Sequence, residues 1–257
     1  MCIRDSSITR DAAVATAAPR IPWDEFLSKH FVWNRFDNEG NPSGEHVALV
    51  GPTGQGKTTL IYNILPLHPF SAVFGTKKTD ASLDKFVRSG YVRLEEWQTI
   101  PALQMPRRMI WPQPRRLSEM VDLQRRIFVD AIENIYYEGF WDLVIDEGYY
   151  VDEVLKLGAL LRLIYTQIRS AGVSIVLATQ RPAWVPVEVY DQSTHLFFWR
   201  DTDKRNLQRL QEISVTHAEA IRTIIPNLEP HQVLYVNTRT GFMCRTRSPL
   251  ITMPQGR

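Results

Sequence analysis

One short stretch of the sequence has the residue types and spacing of a phosphate-binding loop. Residues 51–58 read Gly-Pro-Thr-Gly-Gln-Gly-Lys-Thr, which fits the pattern G-x-x-x-x-G-K-[S/T]. The glycines allow a tight curl whose backbone N–H groups converge on an anion, and the following helix directs its positive end there. Lys57 would then reach the outer phosphates of a nucleotide, and the Thr58 hydroxyl would bind Mg²⁺. The predicted nucleotide-binding residues are Gly51, Pro52, Thr53, Gly54, Gln55, Gly56, Lys57, Thr58 and Thr59.

A pair of acids follows a later apolar run. Residues 141–147 read Trp-Asp-Leu-Val-Ile-Asp-Glu. An apolar strand that ends in two acids is typical of a Walker B motif, in which Asp146 would help to hold Mg²⁺. Glu147 would orient or deprotonate the water that attacks the γ-phosphate of ATP. Two loop acids without a chemical role are the alternative, but the upstream phosphate loop favours the catalytic interpretation.

Two further polar residues lie around the next apolar run, residues 173–179. Gln180 directly follows this predicted strand, and a polar residue at the tip of the strand can contact the γ-phosphate; the alternative is an ordinary strand-end polar group. Arg169 lies near the end of the preceding helix. It is either a cation placed against the helix dipole or an arginine finger that serves a neighbouring subunit.

The rest of the sequence supplies the elements that must position these groups. Apolar runs alternate with amphipathic ones, which predicts an α/β, three-layer, RecA-like domain with a mainly parallel sheet. Residues 1–20 are expected to be a flexible tail and residues 21–257 the domain. Further strands are predicted over 46–50, 71–74, 91–94, 109–111 and 194–199, and a C-terminal β-hairpin over 232–237 and 242–247. Helices are predicted over 59–65, 83–87, 117–137, 153–170, 203–213 and 216–223.

Three stretches allow two interpretations each. The aromatic residues of 21–36 are expected to pack on the edge of the sheet rather than to form a binding surface. Residues 101–114, rich in proline and paired arginines, are predicted to be a surface excursion, with nucleic-acid contact left open. Lys77 and Lys78 either contact phosphate or are solvated loop lysines.

Composition narrows the class of protein. The chain has 257 residues, 44% of them apolar, and a net charge of +2 that by itself does not indicate nucleic-acid binding. Its 2 cysteines show no metal-binding or redox spacing, which predicts a reducing compartment such as the cytoplasm. No apolar run approaches 18 residues, so we expect no membrane segment.

The motifs taken together resemble those of the FtsK/HerA superfamily. The resemblance rests on residues 51–58, on Leu-Val-Ile-Asp-Glu at 143–147 and on Arg-Ser-Ala-Gly-Val-Ser-Ile-Val-Leu-Ala-Thr-Gln-Arg-Pro at 169–182. It implies an ATPase that forms a ring, a hexamer, and uses ATP and Mg²⁺ to move double-stranded DNA. It also implies nucleotide roles for Lys57, Thr58, Asp146, Glu147 and Gln180, and a finger acting in trans for Arg169.

The sequence departs from that family in one motif. Where FtsK-type translocases carry an Asp-Pro-Lys-like motif after the second strand, residues 75–78 read Gly-Thr-Lys-Lys. This difference, with no membrane helices and no winged-helix tail in the sequence, favours a compact motor of a virus or mobile element, in the host cytoplasm if viral. Two rivals stay open: an ATPase for filamentous-phage assembly or protein export, similar to zonula-occludens-toxin-like proteins, and a nucleotide-dependent switch without translocation.

Overall fold

A nine-stranded sheet forms the centre of the molecule. The structure is a computed structural model and describes residues 18–181, 185–213 and 218–251. The strands are β1 (His46–Val50), β2 (Ser71–Phe74), β3 (Val92–Leu94), β4 (Arg107–Ile110), β5 (Asp142–Ile145), β6 (Ser174–Thr179), β7 (Ser193–Trp199), β8 (Val233–Asn237) and β9 (Met243–Thr246). They lie in the order β3-β4-β2-β5-β6-β1-β7-β8-β9. Strands β1 to β7 are parallel, and β8 and β9 are antiparallel to their neighbours, so the predicted C-terminal hairpin at the sheet edge is confirmed.

Helices lie on both faces of this sheet. They are α1 (Lys57–Ile64), α2 (Ala81–Arg88), α3 (Met120–Glu138), α4 (Gly158–Gln167), α5 (Val187–Asp191), α6 (Lys204–Ile213) and α7 (Ala218–Ile224). Shorter helical turns cover Trp23–Glu25, Phe26–His30, Leu65–Leu67, Leu117–Glu119, Tyr150–Val154, Ile168–Ala171 and Ile225–Asn227. No helix in the described part of the chain is both long and apolar enough to cross a lipid bilayer.

The central strands are buried on both faces, which explains their unbroken apolar sequences. In β1, Ala48 and Val50 pack in the core layer that includes Phe128 of α3. Val47 and Leu49 point the other way, into the layer that includes Leu60 of α1. The alternation of side chains along one strand therefore fills two cores, and the predicted three-layer α/β architecture is confirmed.

The segment before β1 packs against the antiparallel end of the sheet. Phe26 and Phe31 are buried, and both rings contact Tyr235 of β8 at 4.9 and 6.0 Å between centroids. The expected packing role is confirmed for Phe26 and Phe31, whereas Phe36 is exposed. Residues 18–20, which the sequence assigns to the tail, pair with β9: the Arg245 backbone N–H donates to the Pro19 carbonyl at 2.8 Å. Residues 1–17 lie outside the described residues.

The prediction of a surface excursion over 101–114 is wrong for the part that forms β4. This strand lies between β3 and β2, and the Arg108 side chain is fully buried. Its guanidinium donates to backbone carbonyls, among them that of Gln98 at 2.8 Å, and lies 4.2 and 4.7 Å from the ring centroids of Trp97 and Trp141. A cation held in this way is a core group and is unavailable to a polynucleotide.

The predicted helix over 153–170 is shorter than expected. The chain leaves the Tyr150–Val154 turn with Lys156 at φ 55°, and α4 begins only at Gly158. A Cβ atom at position 158 would lie 1.9 Å from Oδ1 of Asp152, so this close approach requires glycine. The interruption depends on that tertiary contact, which helical periodicity does not reveal. The predicted helix over 216–223 begins outside the described residues, and α7 covers its remainder.

Candidate active site

Four chain segments that end at the same edge of the sheet build the candidate site. Strand β1 leads into the phosphate loop, β5 into Asp146 and Glu147, β6 into Gln180, and β2 into Lys77. Because β2, β5, β6 and β1 are consecutive neighbours and parallel, their carboxyl ends lie side by side. In open parallel sheets this edge is where ligands bind.

The phosphate loop has the curled backbone that its glycines predict. Gly54 and Gly56 have φ angles of 77° and 104°, a region that favours glycine, and Gly56 lies directly before α1. Position 51 requires glycine for a different reason, because a Cβ there would lie 2.6 Å from Cβ of Trp199 in β7. The loop is therefore shaped both by its own torsions and by the neighbouring strand.

Lys57 lies inside this curl. Its side chain exposes only 8%, and Nζ donates to the carbonyls of Gly51 and Pro52 at 2.6 and 2.8 Å. Burial lowers the pKa of Lys57, although the nearby carboxylates of Asp146 and Glu147 act in the opposite direction. The ammonium is thus held beside the loop, with two carboxylates near it.

Thr58 and Asp146 form a pair of oxygen ligands. The Thr58 hydroxyl donates to both Asp146 carboxylate oxygens, at 3.3 and 3.2 Å. Burial and then the charge of Glu147 raise the pKa of Asp146 to about 6. Hydroxyl and carboxylate oxygens suit Mg²⁺, which also keeps waters and substrate phosphates as ligands. The described residues contain no cluster of three or more His, Cys, Asp or Glu suited to a metal, so a cation here would need such outside ligands.

Glu147 and Gln180 contact each other across two neighbouring strands. The Gln180 amide Nε2 donates to Glu147 Oε1 at 3.0 Å, and the Thr53 hydroxyl donates to Gln180 Oε1 at 2.6 Å. A chain of hydrogen bonds therefore links the predicted base to the phosphate loop. The arrangement can hold a carboxylate close to a bound phosphate, as acid–base chemistry on water requires.

Solved structures provide an independent comparison of the whole fold. The genome packaging NTPase B204 from Sulfolobus turreted icosahedral virus 2, in complex with AMP, is 19% identical and superposes with a TM-score of 0.56 over 80% of this chain and 98% of that one. VirB4 of Thermoanaerobacter pseudethanolicus is 10% identical, with a TM-score of 0.60 over 87% of this chain and 96% of that one. The cytoplasmic domain of the type VII secretion ATPase EccC of Thermomonospora curvata is 15% identical, with a TM-score of 0.52 over 88% of this chain and 29% of that one.

The chain has the fold of a P-loop ATPase. The resemblance to the FtsK/HerA type that the motifs indicate is confirmed at the level of the fold. No protein-family model matches the sequence, and no curated protein matches it in sequence. At identities this low the likeness does not extend to substrates or partners.

The remaining predicted nucleotide-binding residues of this P-loop ATPase fold lie between two clefts. Gly54, Gly56 and Thr59 line the cleft that also contains Lys57 and Glu147, and they line an adjacent, less polar cleft as well. The second cleft is bounded by Trp199, Val233, Leu250 and His231, whose ring lies 3.3 Å from the Gln55 carbonyl through Nδ1. Sequence reasoning missed this cleft, because residues 55 and 231 are brought together only when β1 pairs with β7 and β7 pairs with β8.

The fold does not bring Arg169 to the phosphate loop of its own subunit. It lies in the Ile168–Ala171 turn before β6, and its Nε donates to the Gly44 carbonyl at 2.9 Å, just before β1. Arg169 lies at the amino end of β6, and Gly44 lies at the amino end of β1. The phosphate loop follows the carboxyl end of β1, so the whole length of this strand separates Arg169 from it. Five strand residues span roughly 17 Å. An arginine finger at position 169 is therefore out of reach within one subunit, and its role stays a prediction.

In contrast to Arg169, Lys77 lies in the cleft with Glu147. The sequence left it as either a phosphate contact or a solvated lysine, and the structure places its Nζ 3.2 Å from Glu147 Oε1 and 3.4 Å from Asp80 Oδ2. Its position after β2, a strand that ends at the ligand-binding edge, was the available signal. Lys78, the next residue, is exposed.

Proposed function

We propose that this protein binds and hydrolyses ATP with Mg²⁺, and that a ring of subunits, a hexamer by the FtsK/HerA resemblance, uses this reaction to move double-stranded DNA. One observation carries the hydrolysis: the phosphate loop with Lys57, the Thr58–Asp146 pair and the Glu147 carboxylate converge on a single cleft. These are a phosphate cradle, a cation site and a base. Phosphoryl transfer requires little more from a protein than these groups in position.

Binding uses the loop backbone first. The N–H groups of 53–58 and the amino end of α1 favour the negative phosphates, and Lys57 adds a full positive charge. Lys57 would exchange its bonds to the Gly51 and Pro52 carbonyls for phosphate oxygens. The less polar cleft beside Trp199 and His231 offers space for the base and sugar, because it adjoins the cradle through Gly54 and Gly56.

Thr58 and Asp146 would hold the metal ion. When bound, Mg²⁺ would neutralise charge on the phosphates as it builds up during transfer. The raised pKa of Asp146 is consistent with this role, since a carboxylate in an electronegative, desolvated position favours a cation beside it.

Glu147 would accept the proton of the attacking water. Its carboxylate is only partly exposed, at 22%, and is held by Gln180. Gln180 also bonds Thr53 of the loop, so it is placed to respond to phosphate on one side and to touch the base on the other. Removal of the carboxylate should therefore stop turnover without removing the cradle.

The DNA substrate and the ring are supported by resemblance rather than by a contact in the structure. The fold is similar to that of a genome packaging NTPase, and the sequence motifs resemble those of DNA-moving rings. The likeness to EccC, a secretion ATPase, supports protein export as the second candidate. All of these machines share one fold, so the fold alone does not choose between their cargoes.

The decisive measurement is the steady-state ATPase rate with and without long duplex DNA. A DNA motor should be stimulated by the duplex regardless of sequence, and the stimulation should fall steeply as salt rises, because phosphate contacts release counterions. Glu147→Gln serves as the inactive control that still binds DNA. ATP hydrolysis that duplex DNA leaves unchanged would contradict the DNA proposal and favour export, whereas nucleotide binding without turnover would favour a switch.

A further inference from the structure

The segment between β2 and α2 carries a lysine with an unusual set of neighbours. Lys77 exposes 53% of its side chain, yet its ammonium lies between two carboxylates, those of Glu147 and Asp80. Burial lowers the pKa of Lys77, but attraction to Glu147 and then Asp80 outweighs it and raises the pKa. The side chain is therefore a cation whose charge acts on the predicted base.

The backbone of Lys77 is fixed from two sides. The fully buried Trp111 donates its indole N–H to the Lys77 carbonyl. Asp80 caps α2, because its Oδ1 accepts the backbone N–H groups of Ser82 and Leu83 at 2.9 and 3.4 Å. A lysine anchored at its own backbone and at one of its ion-pair partners is restricted in where its ammonium can lie.

The contacts at Glu147 are concentrated on one of its two oxygens. Lys77 Nζ and Gln180 Nε2 both donate to Oε1, at 3.2 and 3.0 Å. Within the described part of the chain no donor bonds Oε2 of Glu147. Two donors on one oxygen fix the rotation of the carboxyl group and leave the other oxygen free to accept a proton.

We propose that Lys77 is a positioning residue for ATP hydrolysis, an inference that rests on the proposed function. Its ammonium, together with the Gln180 amide, holds Oε1 of Glu147 so that Oε2 receives the proton of the attacking water. The same ion pair connects the residues that follow β2 to the end of β5. The substrate of this arrangement is a nucleoside triphosphate with a water placed for in-line attack.

The alternative role for the same lysine is a direct phosphate contact, and kinetics separate the two. A residue that acts through Glu147 lowers kcat and leaves binding almost unchanged, whereas a lost phosphate contact weakens binding of the triphosphate. The test compares Lys77→Met, which keeps the length and removes the charge, with Lys78→Met as the matched control. Because Lys77 is half-exposed, both variants should melt at about the temperature of the unaltered protein.

Lys77→Met should lower kcat by about tenfold to hundredfold, the range that a misplaced catalytic group costs. KM for ATP and Kd for AMPPCP should stay within about threefold, Lys78→Met should behave like the unaltered protein, and Lys77→Arg should recover part of the rate. In a Glu147→Gln background, adding Lys77→Met should change the residual rate by less than about twofold, because the group it positions is already gone.

Three results would overturn the inference. One is a Lys77→Met variant with the kcat of Lys78→Met. Another is a Kd for AMPPCP that rises tenfold or more while kcat at saturation is kept, which would assign Lys77 to the phosphates. Full additivity of Lys77→Met with Glu147→Gln is the third. In each case the unaltered protein still hydrolyses ATP; if it binds AMPPCP but does not hydrolyse ATP, the proposed function fails as well.

Discussion

At the scale of single residues, Lys57 is the only cation within the phosphate loop, residues 51–58. Lys57→Ala should abolish measurable nucleotide binding, because the loop would lose its positively charged side chain. Isothermal titration with AMPPCP measures this directly. Lys78→Ala is the control, since Lys78 lies on the same edge but is exposed. Unaltered affinity in Lys57→Ala would show that the nucleotide binds elsewhere.

Substitution of Glu147 tests the chemical step separately from nucleotide binding. Glu147→Gln keeps the size of the side chain and an oxygen that can accept the bond from Gln180, but it removes the basic carboxylate. We expect AMPPCP binding within about threefold of the unaltered protein and a loss of kcat of about a hundredfold or more, as for a lost general base. Single-turnover hydrolysis is the measurement. A variant that keeps its rate would assign the base to another group.

At the scale of secondary-structure elements, His46 joins three of them. In β1, its Nδ1 accepts the backbone N–H of Ile175 in β6 at 3.0 Å, and its Nε2 lies 3.3 Å from the Tyr165 carbonyl of α4. Nδ1 therefore carries the lone pair and Nε2 the proton. Burial, and then the positive charge of Arg169, lowers the pKa of His46 to about 3.

The linkage predicts a loss of stability in mild acid. The unfolded chain binds a proton at His46 below a pKa of about 6.5, whereas the folded protein does not until about 3, so stability falls as the pH drops through this interval. Between pH 7 and pH 5 this one residue should cost about 2 kcal/mol of unfolding free energy. Urea titrations at several pH values measure it.

His46→Gln provides the comparison, because the amide does not titrate. Its unfolding free energy should depend less on pH over the same interval, by about the amount that His46 contributes, whatever its stability at pH 7. If the unfolding free energies of His46→Gln and of the unaltered protein depend equally on pH, the lowered pKa of His46 is refuted as a source of this dependence.

The elements that carry the site were largely predictable, and the reason is physical. Strands β1, β5 and β6 are buried on both faces, so their sequences are continuous apolar runs, and the polar residues that follow them mark one edge of a parallel sheet. Glu147 and Gln180 could thus be expected near each other. Local sequence patterns were sufficient to predict these strands, because burial alone determines their apolar character.

Where the sequence was insufficient, the cause was a contact between distant residues. Arg108 looks like a surface charge until Trp97 and Trp141 are folded around it. Lys77 and Glu147 are 70 residues apart, and their ion pair follows only from the adjacency of β2 and β5. The early end of the predicted helix over 153–170 depends on Asp152 lying against Gly158. Such pairings require the order of the strands, which periodicity does not supply.

At the scale of the whole molecule, the predicted site residues lie at two opposite edges of the sheet. The carboxyl edge holds the phosphate loop, Asp146 and Glu147, and the amino edge holds Arg169. The terminal nitrogens of Arg169 make no hydrogen bond with the described residues, and only its Nε is used. A subunit whose amino edge met the carboxyl edge of its neighbour would present this guanidinium to the neighbour's nucleotide. A head-to-tail contact of this kind forms a ring when the rotation between successive subunits closes.

This arrangement predicts complementation between two inactive variants. Lys57→Ala lacks an intact cradle, and Arg169→Ala lacks the finger, whose loss should cost about 10³–10⁵ in rate. When the two are mixed under conditions that exchange subunits, some interfaces pair an intact cradle with an intact finger, so ATPase activity should partly return. The matched control mixes Lys57→Ala with the double variant Lys57→Ala/Arg169→Ala, which contains no intact cradle and should stay inactive. If Arg169→Ala alone hydrolyses ATP normally in the presence of duplex DNA, Arg169 serves only its own subunit, as the partner of the Gly44 carbonyl.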